Sequence, residues 1–315
     1  SRALARLNLK PAAVVMGAPR ALVVLRTLSL PAIEDLRELA SMVHFQITKD
    51  LPFRLDEAVI DFKIRRAAST PARPTANGKT NGAAVGSKTE PAALPAKLEV
   101  LAAAVKREVV DFYQRIAAAA GLNLVALGWQ SEANARFVEA CVAAQGDDSV
   151  ALVSLRADEV GVEIISRQSL LFSRGATIKL CSEPLPPAPA VSEPAAAERP
   201  ADAPPPETPP APGPATFADA VTIEVVRSLH SYGGVEQHIA VAKAVVTGAT
   251  GQESAVVESL RNRLNIPCEL LDPVRALDLA EEAREHAAGS ISALGLALGA
   301  NDAPGLPFDF LNPKQ

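Results

Sequence analysis

The chain of 315 residues carries 31 basic and 36 acidic residues, a formal net charge of -5 and 48% apolar residues. Acids and bases are mixed along it, which excludes the basic face a nucleic-acid binder needs. Residues 291–300, its longest weakly polar run, reach about half the length of a bilayer span. Cys141, Cys181 and Cys268 are odd in number and far apart, and His44, His230, His238 and His286 lack ligand spacing. Neither a disulfide framework nor a zinc site is therefore suggested, and no signal-peptide pattern opens the chain, so a soluble protein of a reducing compartment is expected.

Composition is uneven. Thirteen of the 26 prolines lie between Pro184 and Pro214. Proline fixes its own φ and lacks a backbone donor, so residues 181–216 read as an extended, disordered insert, or as a proline-groove ligand. Residues 67–95, rich in Ala, Thr, Pro, Gly, Asn and Lys, read as a second disordered insert. About 250 residues remain to build a core, enough for one large or two small lobes.

In chain order, Ala13-Val14-Val15-Met16 and Ala21-Leu22-Val23-Val24-Leu25-Arg26 read as strands. Pro31 is placed at the start of a helix with Ile33, Leu36, Leu39 and Val43 on one face. After Leu51-Pro52-Phe53, the run from Ala58 to Ile64 reads as a strand. The run from Leu98 to Val105 is an apolar strand, and Lys106 to Ala120 a helix with Val109, Val110, Tyr113 and Ile116 inward. Gly121 falls where a helix end favours positive φ. Leu124 to Leu127 reads as a strand and Ser131 as the cap of a helix reaching Ala144. Three short strands, opening at Val150, Val160 and Ser169, form an antiparallel meander. Helix (217–230), strand (242–247), loop, helix (253–264), strand (268–271) and a closing helix of small residues (290–298) follow. Meanders and βα units occurring twice point to two α+β lobes.

Val246-Thr247-Gly248-Ala249-Thr250-Gly251 lies on a strand-to-helix turn and mimics a dinucleotide fingerprint, with Asp272 downstream. Ser254 stands at the third glycine position, and neither Tyr113 nor Tyr232 has a lysine four residues on. A nicotinamide enzyme thus rests on this turn alone. A plain tight turn and the nucleotide-facing turn of another fold are the other readings.

Taken in order, the segments resemble the PilM family of type IV pilus assembly. The resemblance lies in Arg26-Thr27-Leu28-Ser29-Leu30-Pro31, in the run from Leu51 through Asp61-Phe62, and in the unit ending at Gly121. It continues through Glu224-Val225-Val226-Arg227-Ser228-Leu229, the glycine turn with Asn265-Ile266-Pro267-Cys268, and Ala293 to Leu298. The resemblance implies an α+β actin-like ATPase (ribonuclease H-like) fold of two lobes, with ATP and Mg held by two β-hairpins. Residues 1–66 and 96–180 would form the first lobe with the second hairpin, 217–300 the second lobe and 301–315 a tail. The fold is expected to be incomplete at the N-terminus, lacking the first hairpin.

The nucleotide-side candidates carried over by the resemblance are Ser154, Arg156, Glu224, Arg227, Thr247, Gly248 and Gly251. Ser154 stands where the superfamily commonly has an aspartate and Arg156 where a glycine would let backbone approach phosphate. These departures point to weak or lost nucleotide binding and no catalytic residue. The resemblance then implies a cytoplasmic scaffold of a type IV pilus or type II secretion platform. It would be peripheral at the inner membrane and capture the N-terminal peptide of a bitopic PilN-like partner. Leu51, Pro52 and Phe53 are the candidate partner surface. The alternative is an ATP-binding phosphotransferase or ATPase of the same superfamily, which needs a carboxylate beside the γ-phosphate. The tail string Phe308-Asp309-Phe310-Leu311-Asn312-Pro313 has the flavour of such a partner peptide. It reads either as that peptide in cis or as a frayed end.

Overall fold

The computed structural model describes residues 13–33, 35–66, 97–142, 149–166, 169–180, 216–234, 240–301 and 305–314. The expected inserts at 67–95 and 181–215 lie outside these residues, as do Cys181 and His238. The chain divides into two units. One is drawn from Ser1–Ala140, Gln168–Leu170 and Ile291–Gln315, the other from Cys141–Arg167 and Leu171–Ser290.

Two sheets build the first unit. Strand β1 (Val14–Ala18) pairs in parallel with β5 (Leu124–Trp129). Strands β2 (Val24–Pro31), β3 (Ala58–Arg66) and β4 (Lys97–Lys106) form an antiparallel sheet in the order β2-β4-β3. The apolar run of β4 reads as a strand covered on both faces, and its residues from Val100 to Val105 are buried. Helix α1 (Leu36–Ile47) covers one face, packing Leu39, Val43 and Ile47 over Ile60, Phe62, Ala102 and Ala104. Along β3 the side chains alternate, so Val59, Asp61 and Lys63 point to the other face.

Helix α2 (Arg107–Ala119) ends in a glycine-stopped turn. Leu122 N–H bonds the Ala117 carbonyl at 2.9 Å, Gly121 N–H bonds that of Ala118 at 3.0 Å, and Gly121 takes φ 67°. Helix α3 (Gln130–Cys141) follows β5 directly, and the closing helix α8 (Ile291–Asn301) packs against it. There Ser292 Oγ donates to Asn134 Oδ1 at 2.7 Å. A Cβ on Gly295 would lie 1.8 Å from the Ala133 carbonyl oxygen, so this crossing admits only glycine.

The second unit carries a five-stranded sheet in the order β10-β9-β6-β7-β8. The strands β6 (Ser149–Leu155), β7 (Glu159–Ser166) and β8 (Ser169–Thr177) are the expected meander. Strands β9 (Val241–Gly248) and β10 (Cys268–Leu270) extend it in parallel from β6. Helices α4 (Phe217–Gly233) and α5 (Glu253–Arg263) bury Val221, Val225, Val256 and Leu260 against Val153, Val162 and Val246. A capping box between Thr216 and Asp219 starts α4. Short helices α6 (Pro273–Leu277) and α7 (Arg284–Ala287) lead to α8.

Four local expectations are corrected. Pro31 ends β2 opposite Lys97 instead of starting a helix, and Asp35 caps α1 by accepting the Arg37 N–H at 2.8 Å. A proline fits the end of an outer strand, where its missing donor costs nothing. Ala21 and Leu22 form a 3-10 turn before β2. Ser131 lies inside α3 and is buried rather than capping it. Ile116 is exposed, because α2 turns Val110 and Ala117 inward.

Candidate functional site

In the second unit, the nucleotide-side candidates fall into two groups. Parallel pairing of β6 with β9 sets Ser154 beside Thr247 and Leu155 beside Gly248, so the carboxyl ends of two central strands meet at the 248–251 turn. Such ends are where open α/β sheets bind ligands. Glu224 and Arg227 sit apart from it on α4. Glu224 is buried and pairs with Arg174 of β8 at 2.8 Å and with Arg227 at 3.6 Å. Strand β8 is three strand spacings from β9, about 14 Å.

At the turn, the donors that could hold a phosphate already hold a carboxylate. Glu253 Oε1 accepts the Thr250 N–H at 2.7 Å and the Thr250 hydroxyl at 2.8 Å. Partial burial pushes the Glu253 carboxyl up, but these bonds and the Gly251 and Glu253 amides outweigh it and hold the group below the ordinary value. A Cβ on Gly248 would lie 2.6 Å from that oxygen and 2.7 Å from the Leu155 carbonyl, so glycine is what admits the carboxylate. Thr247 Oγ1 donates to the Ala288 carbonyl at 2.8 Å. Arg156 lies 3.6 Å from the Glu159 carboxylate across the β6–β7 hairpin. Ser154 Oγ is buried and has no hydrogen-bond partner among the described residues.

This donor set does not suit a triphosphate with its metal, because a carboxylate of the chain itself already fills the amide turn. Among the described residues no cluster of His, Cys, Asp and Glu could hold a metal ion. Asp272, the ribose candidate of the dinucleotide reading, caps α6. It accepts from Val274 N–H at 3.1 Å and Arg275 N–H at 3.2 Å, and pairs with Arg284 at 2.6 Å.

The first unit contains a filled groove. Residues 306–314 lie along β5, whose other edge pairs with β1. Phe310 N–H bonds the Leu127 carbonyl at 2.8 Å, and Leu127 N–H bonds Asp309 Oδ1 at 3.0 Å. Asn312 Nδ2 reaches the Val125 carbonyl at 3.2 Å. Phe308 and Phe310 are each 1% exposed, and Phe308 meets the ring of Trp129 edge-on at 5.9 Å between centroids. Fully burying a phenylalanine contributes about 1.5–3 kcal/mol, so two such anchors dominate the docking. Asp309 Oδ1 also accepts the Leu311 N–H at 2.9 Å, an Asx turn that preshapes the segment.

Opposite β5, Asp61 has no exposed surface. Its Oδ2 accepts the Asp309 N–H at 2.7 Å, and its Oδ1 accepts the N–H groups of Phe62 at 2.8 Å and Lys314 at 3.2 Å. The Lys314 ammonium donates to both oxygens, at 2.9 and 3.1 Å, and to the Pro307 carbonyl at 2.8 Å. A cavity of about 370 Å³ continues the groove beside Phe310 and Leu311, bounded by Ile60, Arg107 and Asp111.

The candidate partner residues lie elsewhere in this unit. Leu51 and Phe53 pack against the α1 face of the sheet and Pro52 is exposed. Asp61, Leu127 and Trp129 were not singled out as binding residues by sequence. A carboxylate within an alternating strand gives no local sign of what it faces.

No protein-family model matches the chain, and no curated protein matches it in sequence. Solved structures do. The PilM-PilN type IV pilus biogenesis complex shares 16% identity over 94% of this chain and 81% of that one, with a TM-score of 0.63. A Bacteroides thetaiotaomicron protein with an actin-like ATPase fold and unknown function shares 9% identity over 90% and 72% of the two chains, TM-score 0.39. The cytoplasmic domain of EpsL, an inner membrane component of the Vibrio cholerae type II secretion system, shares 11% identity over 95% and 77%, TM-score 0.41. Among the described residues no helix is long and apolar enough to cross a membrane. The chain has the actin-like ATPase fold.

Proposed function

We propose that this chain is a PilM-like scaffold of a type IV pilus or type II secretion platform that works by holding a short peptide in the groove between β5 and β3. The peptide is the N-terminal segment of a PilN-like bitopic protein, and the scaffold works at the cytoplasmic face of the inner membrane through that partner. Residues 306–314 are a ligand of the same kind, docked in cis. One observation carries this reading: a segment with two fully buried aromatic anchors lies against the free edge of β5, held there by one backbone bond and two side-chain bonds, a contact of the kind by which grooves hold extended peptides. Likeness of fold to a PilM-PilN complex supports it. Nucleotide binding is weak or lost, a reading supported by the Glu253 carboxylate in the 248–251 turn.

The test uses the full chain with Phe308→Ser and Phe310→Ser, which frees the groove. Trp129 is the only tryptophan, so its emission reports occupancy. A synthetic peptide of residues 305–315 is expected to bind saturably and restore the wild-type spectrum. Failure to bind a folded variant would sink the groove reading.

A further inference from the structure

The groove contains a charge that none of its own neighbours in β3 answers. Asp61 is wholly buried, and within the described residues the cation that reaches it is Lys314 of the docked segment, at 2.9 and 3.1 Å. The nearby cation on the same strand face, Lys63, is engaged elsewhere, by Glu132 of α3 at 2.6 Å. Without an occupant, Asp61 retains the Phe62 N–H from its own strand. An ionised carboxylate left buried with one donor is costly, and one facing a like charge is costlier still.

Apolar anchors alone discriminate poorly between peptides, because many bulky side chains fill a greasy pocket. A buried charge discriminates sharply, since a ligand lacking the matching group leaves it unpaired. Resting on the peptide-groove reading, we infer that Asp61 is the specificity-determining residue of the groove. It selects occupants bearing a basic side chain five residues after the residue that bonds Leu127 N–H, as Lys314 follows Asp309. The partner class is thus a peptide with two bulky apolar residues flanking a short acceptor side chain, followed by a lysine or arginine four residues after the second of them. Peptides with the same anchors and an acidic residue at that position are rejected. Lys314 also closes the peptide on itself through the Pro307 carbonyl, so the same cation shapes the ligand and satisfies the receptor.

The experiment titrates the tail-released full chain, Phe308→Ser with Phe310→Ser, with three synthetic peptides of residues 305–315: wild type, Lys314→Gln and Lys314→Glu. Trp129 emission is the readout. The wild-type peptide is expected to bind about 100-fold more tightly than the Lys314→Glu peptide. Adding Asp61→Asn to the receptor should shrink that preference to a few-fold. Equal binding of all three peptides overturns the charge reading and leaves the groove standing. No binding by any of them overturns both. If the tail-released chain does not fold, Lys314→Glu in the otherwise wild-type chain takes its place. That variant should expose the tail to protease and red-shift Trp129, and unchanged protection and emission overturn the inference.

Discussion

The Asp61 carboxylate, which is fully buried, and the Asp309 backbone amide, 248 positions apart in the chain, meet at 2.7 Å. Two acidic residues adjoin here without repelling the segment away, because Asp309 turns its own carboxylate to Leu127 N–H and Asn312 while offering Asp61 a donor. Each carboxylate is thereby matched to N–H groups, which is the condition for burying it. This contact joins β3 to the tail as the Leu127 bonds join β5 to it.

Phe308→Ala tests how much of the unit's stability resides in that docking. Truncating a buried phenylalanine costs about 3–5 kcal/mol when the surroundings cannot relax. Here the segment can leave the groove instead, so the loss is capped at the docking free energy. Chemical denaturation should show a loss below that range, while Trp129 emission shifts to the red already in native buffer. A full-sized loss with an unchanged native spectrum would show that the tail cannot undock.

Much of the fold is legible in sequence, and the reasons differ by element. Strands β3 and β4 announce themselves by apolar residues, and Gly121 by its place after an amphipathic helix. Pro31 misleads because a proline opening a helix and a proline ending an outer strand look alike locally. Asp61 is illegible for a stronger reason. Period-two alternation sorts faces without saying what covers them, and the cover comes from residues 306–314. Glu253 reads locally as a favourable acid in the first turn of a helix. Only the fold shows its carboxylate inside the turn that sequence assigned to a nucleotide.

Gly295→Ala sets two opposing terms against each other. Alanine gains about 1 kcal/mol of helix propensity over glycine. The new methyl would lie 1.8 Å from the Ala133 carbonyl oxygen and 2.5 Å from its carbon, backbone atoms that cannot swing aside. Overpacking of this kind costs about 1–3 kcal/mol. The clash wins, and a net loss of up to about 2 kcal/mol in urea denaturation is expected. A gain in stability would show that α8 is free to slide on α3.

Ser154→Ala should raise stability slightly. The Ser154 hydroxyl is buried without a hydrogen-bond partner among the described residues, so removing it relieves a desolvation cost of about 0.5–1 kcal/mol. The measurement is a thermal or denaturant midpoint. A clear loss of stability would mean that the hydroxyl holds a partner, and would reopen its candidacy as a ligand group.

Glu253 gives the pH prediction. Its folded-state pKa is lowered: burial pushes it up, but the turn amides and the Thr250 hydroxyl pull harder. A depressed carboxylate stabilises the fold fully above its ordinary value of 4.5, and the contribution fades as pH falls through the folded value. Glu253→Gln removes that contribution. At neutral pH the variant should lose about 1 kcal/mol, the scale of a charge-assisted bond in a partly exposed site. As pH falls through the folded value the two proteins should converge, because the wild-type carboxyl is then protonated as well. Other acids in the chain, Asp272 and Glu281 among them, also carry lowered values, so the difference between the two proteins isolates Glu253 where either profile alone does not. Midpoints compared at pH 3, 5 and 7 decide the matter. A gap that stays constant with pH would show that the turn responds to the shape of the side chain and not to its charge, removing the electrostatic reason for thinking this turn closed to phosphate.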